Sequence, residues 1–245
     1  MRLYTKDVVK RYGSRTVVDH VSVDVNQGEI VGLLGPNGAG KTTTFYMIVG
    51  LIKPNDGAIF LEDDQGRATD ISAEPVYRRA QMGVGYLAQE ASVFRRLSVE
   101  DNIRSVLEMT DFTKEYQRER LESLIEEFRL QKVRKSLGIQ LSGGERRRTE
   151  IARAVAINPR FILLDEPFAG VDPIAVEDIQ SIVGTLKDKN IGVIITDHNV
   201  HETLAITDRT YLLFEGRILK AGTAEDLAND ETVRRVYLGK DFQLR

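Results

Sequence analysis

The sequence predicts an α/β fold with a mainly parallel sheet, and three observations lead to this prediction. Apolar runs of strand length alternate with longer helix-forming stretches along the chain. Two of the runs, Ile30–Leu34 and Phe161–Leu164, contain no polar side chain, as expected of strands buried on both faces. The first run leads through a glycine-rich loop into a helix, and the second ends in two carboxylates. Strands that alternate with helices favour parallel pairing, so we expect helices on both faces of the sheet.

In the first third of the chain, alternation and turn residues locate the elements. Val21, Val23 and Val25 alternate with polar residues before a turn at Gly28, and 54–57 is a turn sequence that leads into a further apolar run. Apolar spacing after the glycine-rich loop predicts a helix. The predicted strands cover 2–10, 17–27, 30–34, 58–61 and 84–87, and the predicted helices cover 41–51 and 74–82.

The stretch from about 90 to 158 is charged and helix-forming, with few strand signals, and we interpret it as a helical insertion. Ser98 is expected to cap a helix that extends to about 108, and a second helix covers 114–128 with its apolar residues on one face. The core then resumes with strands at 161–164, 192–196 and 209–214 and a helix over 173–189. We therefore predict one domain, 1–245, with an α/β core at about 1–89 and 159–235 and a short helical tail at 236–245.

Composition excludes several classes of protein. The net charge of −3 argues against nucleic-acid binding that depends on bulk positive charge. The absence of cysteine excludes disulfides and thiolate chemistry. The N-terminus has no apolar signal region, and no apolar run approaches the ~20 residues needed to span a bilayer. We expect a cytoplasmic protein, in which any role at a membrane depends on a partner.

The glycine-rich loop is the main chemical motif of the chain. Gly35 to Thr42 fits the phosphate-binding pattern G-x-x-x-x-G-K-[ST], between a strand and a helix. Glycines let backbone N–H groups approach phosphate oxygens, Lys41 adds a cation, and the Thr42 hydroxyl is a ligand for Mg²⁺. The alternative is a simple glycine turn. The predicted nucleotide-binding residues here are Gly35, Pro36, Asn37, Gly38, Ala39, Gly40, Lys41, Thr42 and Thr43.

Two carboxylates at the end of a buried strand form the second motif. Asp165 and Glu166 follow Phe161–Leu164, and open α/β sheets bind ligands at the carboxyl ends of their strands. Asp165 is suited to hold Mg²⁺, and Glu166 is suited to polarise the water that attacks the γ-phosphate. The alternative is an ordinary strand end with two solvated acids, but the phosphate-binding loop upstream favours a catalytic pair.

A third motif, Leu141-Ser142-Gly143-Gly144-Glu145, stands directly before a predicted helix. Ser142 and Glu145 have the spacing of a capping box, which is the simpler explanation. The two glycines weaken a first turn by ~1 kcal/mol each relative to alanine. We therefore infer that they let an anion such as phosphate approach the N–H groups at this helix end.

Together these motifs resemble the ATP-binding subunits of ABC transporters. Leu141 to Glu145 matches the signature of that family, and the resemblance covers nearly the whole chain. It implies an ABC-type nucleotide-binding domain with a small antiparallel β subdomain. It also implies a homodimer in which two ATP molecules lie between the phosphate-binding loop of one copy and the signature of the other, attached to transmembrane subunits.

The resemblance assigns roles to four further residues. Tyr12 matches the aromatic that stacks on adenine, and Gln89 matches the glutamine that senses Mg²⁺ and water. Asp172 matches the loop that crosses the dimer, although a helix N-cap before Pro173 explains it equally well. His198 matches the switch histidine at the γ-phosphate. Ala88 departs from the family, which has proline there.

Three other groups of residues lie outside these motifs, and each allows more than one interpretation. Phe94 and Arg95 are expected to bind a coupling helix of the membrane subunits, the alternative for Phe94 being a place in the core of the insertion. The three arginines 146–148 are interpreted as a solvated helix face, or alternatively as a phosphate or lipid contact. His198 and His201 are spaced to share a metal, but a third ligand is missing.

Within the family, the segments 89–98, 165–173, 196–204 and 236–242 resemble the lipopolysaccharide-export ATPases of Gram-negative bacteria. An ATPase of the branched-chain amino-acid importer type is the transport alternative. Soluble ABC proteins of translation carry two nucleotide domains, and those of chromosome maintenance carry a long coiled coil before the signature. A scaffold without hydrolysis would not need both Glu166 and His198. The sequence therefore favours a transport ATPase.

Overall fold

The computed structural model describes residues 1–239 and 242–244. Lys240, Asp241 and Arg245, which belong to the predicted tail, lie outside the described residues. The strands are β1 (Arg2–Tyr12), β2 (Arg15–Val21), β3 (Asp24–Asn26), β4 (Ile30–Leu34), β5 (Asp56–Glu62), β6 (Ala68–Asp70), β7 (Val84–Leu87), β8 (Phe161–Asp165), β9 (Gly192–Thr196), β10 (Arg209–Phe214) and β11 (Arg217–Gly222). The helices are α1 (Lys41–Val49), α2 (Val76–Gln81), α3 (Val99–Leu107), α4 (Lys114–Glu127), α5 (Gly143–Val155), α6 (Pro173–Asp188), α7 (Val200–Leu204), α8 (Ala224–Ala228) and α9 (Glu231–Val233).

The larger sheet confirms the prediction of a mainly parallel core. Within the described chain its strand order is β11-β10-β4-β9-β8-β7, and only the pairing of β10 with β11 is antiparallel. All five residues of β4, of β8 and of β9 are buried, as their unbroken apolar runs require. Because these strands are parallel, the loops that follow β4, β7, β8 and β9 emerge at one edge of the sheet.

A second, antiparallel sheet has the order β2-β1-β5-β6, with β3 also paired to β1. The prediction of one strand over 17–27 is wrong, because β2 ends at Val21 and β3 begins at Asp24. In the gap, the Ser22 hydroxyl accepts the N–H of Asp7 at 2.8 Å and the Thr5 hydroxyl accepts the N–H of Val23 at 2.9 Å. These side-chain bonds supplement the backbone bond from the Thr5 N–H to the Val23 carbonyl, 2.8 Å, in the gap between β2 and β3.

The insertion contains α3, α4 and α5, with α3 and α4 starting at the capping residues Ser98 and Thr113. The predicted boundaries of α3, α4 and α6 agree with the structure to within one or two residues. Apolar side chains of α3 and α4, such as Ile103 and Leu124, belong to one buried cluster with Ile162 and Ile195 of the large sheet. The insertion therefore shares its core with one face of the large sheet.

The structure adds β6, β11, α7 and α8, which the sequence analysis did not predict. Beyond α9 the described chain forms one π-helical turn, Arg234–Leu238. Its Tyr237 and Leu238 pack against a small cluster that includes Leu34 of β4 and Leu204 of α7. Within residues 1–239 and 242–244, no helix is both long enough and apolar enough to cross a bilayer.

Candidate active site

The phosphate-binding loop lines an open depression of about 380 Å³ at the carboxyl edge of the large sheet. The sequence-predicted residues Glu166 and His198 lie in its wall. So do Arg15 and Val17, which the sequence analysis missed because no motif marks them. The complete lining is Arg15, Val17, Asn37, Gly38, Ala39, Gly40, Lys41, Thr42, Thr43, Glu166 and His198.

The phosphate-binding loop packs closely against the neighbouring backbone. Gly35 has φ of 149°, and a Cβ built there would lie 2.2 Å from the backbone oxygen of Leu213. Glycine is therefore required where the chain leaves β4. The buried Lys41 ammonium donates to the carbonyl oxygens of Gly35 at 2.6 Å and Pro36 at 3.1 Å. Burial lowers the pKa of Lys41, and the nearby charge of Glu166 opposes that shift.

Glu166 contacts two other predicted site residues. Its Oε1 lies 2.7 Å from Nε2 of His198, and its Oε2 accepts from the Gln89 amide at 2.6 Å. Gln89 follows β7, Glu166 follows β8 and His198 follows β9, so three neighbouring parallel strands deliver the three side chains. A carboxylate held between an amide and an imidazole is oriented for proton transfer to or from a bound water.

The backbone of Glu166 is in the left-handed region, with φ of 45°. For a residue other than glycine this conformation costs roughly 1–2 kcal/mol, so the surrounding structure must enforce it. The Glu166 N–H donates to the Thr196 carbonyl at 2.8 Å, and its own carbonyl accepts from Arg147 at 3.1 Å. Such backbone strain clusters at functional sites.

The prediction that residues 146–148 form a solvated helix face is wrong for Arg147. Arg147 is only 5% exposed, because α5 turns it inward against the loops after β7 and β8. The guanidinium donates to the carbonyl oxygens of Asp165 and Glu166, at 2.9 and 3.1 Å, and forms an ion pair with Glu150. It donates further to the carbonyls of Ala88 at 2.9 Å and Pro167 at 3.2 Å. The sequence contained a signal for this ion pair, because Arg147 and Glu150 are three residues apart and therefore lie on one helix face.

Asp165 has an oxygen suited to a divalent cation. Its Oδ1 accepts from the Thr196 hydroxyl at 2.9 Å, whereas no donor among the described residues reaches the buried Oδ2 with hydrogen-bond geometry. Burial raises the pKa of Asp165, and the Thr196 hydroxyl and the charge of Arg147 oppose the shift. A buried carboxylate oxygen without a partner beside a phosphate-binding loop fits Mg²⁺, which prefers oxygen ligands. The candidate ligand Thr42 lies in the first turn of α1, and Gln89 lies in the loop after β7.

The signature residues lie apart from the depression. Gly143 lines a separate cavity of about 60 Å³ together with Gln89 and the loop 169–171. Ser142 caps α5, and the capping box predicted with Glu145 is present. Gly144 has a packing role that the sequence argument did not consider, since a Cβ there would lie 2.7 Å from the Cβ of Ala175. Leu141 is buried in the core of the insertion.

Two further predicted residues lie at the surface. Asp172 is the N-cap of α6, where its Oδ1 accepts the Ala175 N–H at 3.0 Å before Pro173. Tyr12 ends β1 with its ring 53% exposed and the Lys10 ammonium 5.4 Å from the ring centre. Each is therefore accessible for the contact that the family resemblance implies.

Phe94 and Arg95 lie at the start of the insertion, before α3. Phe94 is 50% exposed, with the Arg153 guanidinium 4.6 Å from its ring centre. That exposure contradicts the alternative in which Phe94 closes the core of the insertion. The backbone of Phe94 is nevertheless fixed, because the Asn102 side chain accepts its N–H at 2.8 Å and donates to its carbonyl at 3.1 Å.

His198 and His201 contact different partners, which argues against a shared metal. His198 meets Glu166, whereas the ring of His201 stacks on Phe242 at 4.3 Å. No group of three or more His, Asp or Glu side chains that could hold a metal occurs in residues 1–239 and 242–244.

Comparison with known proteins is consistent across sequence and structure. The profile described as "ABC transporter" matches residues 18–169. The chain is 56% identical over 243 residues to "Lipopolysaccharide export system ATP-binding protein LptB" of Escherichia coli K12 and of Haemophilus influenzae, covering 99% of each chain. It is 54% identical to the protein of that name from Acidithiobacillus ferridurans, covering 99% and 98%. A solved ATP-binding cassette of an ABC transporter in its ADP conformation superposes with a TM-score of 0.85, 28% identity and coverage of 98% and 100%.

Proposed function

The chain belongs to the ABC transporter family, and from this premise we propose that it is the ATP-hydrolysing subunit of a transporter that exports lipopolysaccharide. The observation that carries the proposal is the carboxylate of Glu166 held between Gln89 and His198 beside the phosphate-binding loop. The relatives named for lipopolysaccharide export, at 54–56% identity over almost the whole chain, favour that cargo over amino-acid import.

The nucleotide is expected to bind along the depression, with its phosphates on the loop and its base towards Tyr12. Lys41 now donates to two carbonyls of its own loop, and a bound triphosphate would offer it stronger, anionic acceptors. Mg²⁺, held by Thr42, Asp165 and Gln89, would neutralise phosphate charge in the transition state. Glu166 acts as the general base towards the attacking water, and His198 orients Glu166 and contacts the γ-phosphate.

The signature is expected to complete the site of a second copy. Ser142, Gly143 and Glu145 lie at the start of α5, where Ser142 is exposed and the other two are partly exposed, and the helix dipole attracts an anion there. No signature residue lines the depression at the phosphate-binding loop, and Gly143 lines a different cavity, so the signature suits the γ-phosphate of a partner's ATP better than that of its own chain. We therefore propose a homodimer with Asp172 at its interface.

Lys41→Ala should weaken ATP binding by roughly 10- to 100-fold, because it removes the cation from a site that concentrates negative charge. Fluorescent-nucleotide titration measures the change. Lys53→Ala, which removes a lysine outside the loop, is the control and should bind ATP like the wild-type protein. Equal affinities for the two variants would contradict the assignment of the phosphate site.

We propose that Phe94 and Arg95 hold transmembrane subunits, which would place the protein at the cytoplasmic face of the inner membrane. Phe94→Ala should leave the melting temperature and ATP binding of the isolated chain nearly unchanged, because the ring is half exposed. Loss of an interface anchor typically costs ~2 kcal/mol or more, so recovery of the membrane subunits by affinity purification from detergent extracts should fall steeply.

Tyr77→Ala is the matched control, since Tyr77 is exposed on α2 and stands outside the proposed interface. A large fall in the melting temperature of Phe94→Ala, with assembly retained, would instead make Phe94 a packing residue. Mass spectrometry of the proteins recovered with the wild-type chain from native membranes tests the cargo, because membrane subunits of an amino-acid importer would exclude lipopolysaccharide export.

A further inference from the structure

Asp197 is a buried carboxylate that joins the loops after β8 and β9. It is 2% exposed and precedes His198 in the chain. Its Oδ2 accepts the N–H of Phe168 at 2.9 Å, and its Oδ1 accepts the N–H of Asn199 at 2.8 Å. One side chain thus bonds to the backbone two residues after Glu166 and one residue after His198.

The loop that carries Glu166 needs such an anchor. Glu166 has the strained φ of 45°, and on one side Arg147 holds the carbonyls of Asp165 and Glu166. On the other side the chain is held at Phe168, whose ring is buried and whose N–H is bound by Asp197. Because the strain is local, releasing either anchor would let Glu166 relax towards ordinary backbone angles.

We propose that Asp197 is a positioning residue for hydrolysis. It fixes the loop that carries Glu166 relative to the loop that carries His198, so that the two side chains meet at 2.7 Å. The inference rests on the proposed function, since it assumes that Glu166 is the general base. Asp197 itself touches neither of the reacting groups: it acts through the backbone of Phe168 and Asn199.

The chemistry of the anchor requires a carboxylate. Both oxygens of Asp197 accept from backbone N–H groups, and both contacts are strengthened by the negative charge. Burial raises the pKa of Asp197, while the N–H groups of Asn199, Phe168 and His198 oppose that shift. Asparagine has the same shape but only one acceptor oxygen, so its NH₂ group would face one of the two donors. Asp197→Asn therefore breaks one side of the bridge with little change in volume.

The test measures kcat and KM for ATP hydrolysis by the wild-type chain, Asp197→Asn, Glu166→Gln and the control Asp63→Asn. Asp63 also accepts two backbone N–H groups, from Gln65 and Arg67, but in a turn of the antiparallel sheet. We expect kcat of Asp197→Asn to fall by about 10- to 100-fold, as for a base displaced by ~1 Å. KM should stay within about threefold, because the phosphate-binding loop is untouched.

If Asp197 served only in folding, its loss would lower the melting temperature and the fraction of active protein. The kcat of the molecules that do fold would then stay at the wild-type value. Asp197→Asn with wild-type kcat, or with a KM raised as much as kcat is lowered, overturns the inference. If Asp197→Asn does not fold, Asp197→Ser, which keeps one acceptor oxygen, decides by the same two outcomes. The proposed function fails separately if the wild-type chain has no ATPase activity or Glu166→Gln retains it.

Discussion

Glu166→Gln is expected to lower the rate of ATP hydrolysis by 10²- to 10⁴-fold while ATP binding persists. Glutamine preserves the side-chain shape but cannot accept a proton from the attacking water, and loss of a general base typically has this cost. Lys41 and the phosphate-binding loop are unchanged, so affinity should remain near that of the wild-type chain. Release of inorganic phosphate measures the rate, and nucleotide titration measures binding.

The variant should also accumulate as an ATP-bound dimer, because the step that separates the copies is blocked. Size-exclusion chromatography with and without ATP detects this dimer. Glu115→Gln, in the first turn of α4, is the control and should hydrolyse ATP at the wild-type rate. Hydrolysis by Glu166→Gln within a few-fold of the wild-type rate would show that another group is the base.

Arg147→Ala is expected to destabilise the fold by about 3–5 kcal/mol. The change removes the buried cation opposite Glu150 and leaves a buried carboxylate without its ion pair, which is the costly way to break such a pair. It also removes the Arg147 donor from the carbonyls of Ala88, Asp165, Glu166 and Pro167, of which the Glu166 carbonyl keeps the Ala169 N–H at 3.1 Å. For a chain of this length the melting temperature should fall by about 6–20 °C in a calorimetric scan.

Arg146→Ala and Arg148→Ala are the natural controls, because these arginines flank Arg147 on the same helix. Arg146 is partly exposed, and Arg148 pairs with the partly exposed Asp178 at 3.0 Å. The Arg148 side chain is only 15% exposed, but Asp178 is 33% exposed and keeps Arg129 as a second partner at 2.9 Å, so Arg148→Ala leaves no buried unpaired charge. Both variants should therefore melt within a few degrees of the wild-type protein. Three similar melting temperatures would contradict the buried position of Arg147.

The motifs of the site could be predicted from sequence because each is local. The pattern from Gly35 to Thr42, the acids after β8 and the segment from Leu141 to Glu145 are contiguous, and parallel pairing brings strand ends together. The contacts of Glu166 with Gln89 and His198 join residues 77 and 32 positions apart, and the order of strands in the sheet created them. The left-handed backbone of Glu166 had no signal of its own, since glutamate rarely adopts it.

By itself the sequence determined most of the strand and helix pattern, the phosphate-binding loop, the capping residues and the family resemblance, because these depend on neighbouring residues. Only the tertiary structure showed that Arg147 is buried whereas its neighbours Arg146 and Arg148 are not. Successive helix residues point about 100° apart, and the loops after β7 and β8 cover only one of those directions. Tertiary packing likewise brings Gly144 into close contact with α6 and places two backbone N–H donors beside Asp197. Burial and hydrogen-bond partners come from elements far apart in the chain, and composition does not encode which of them meet.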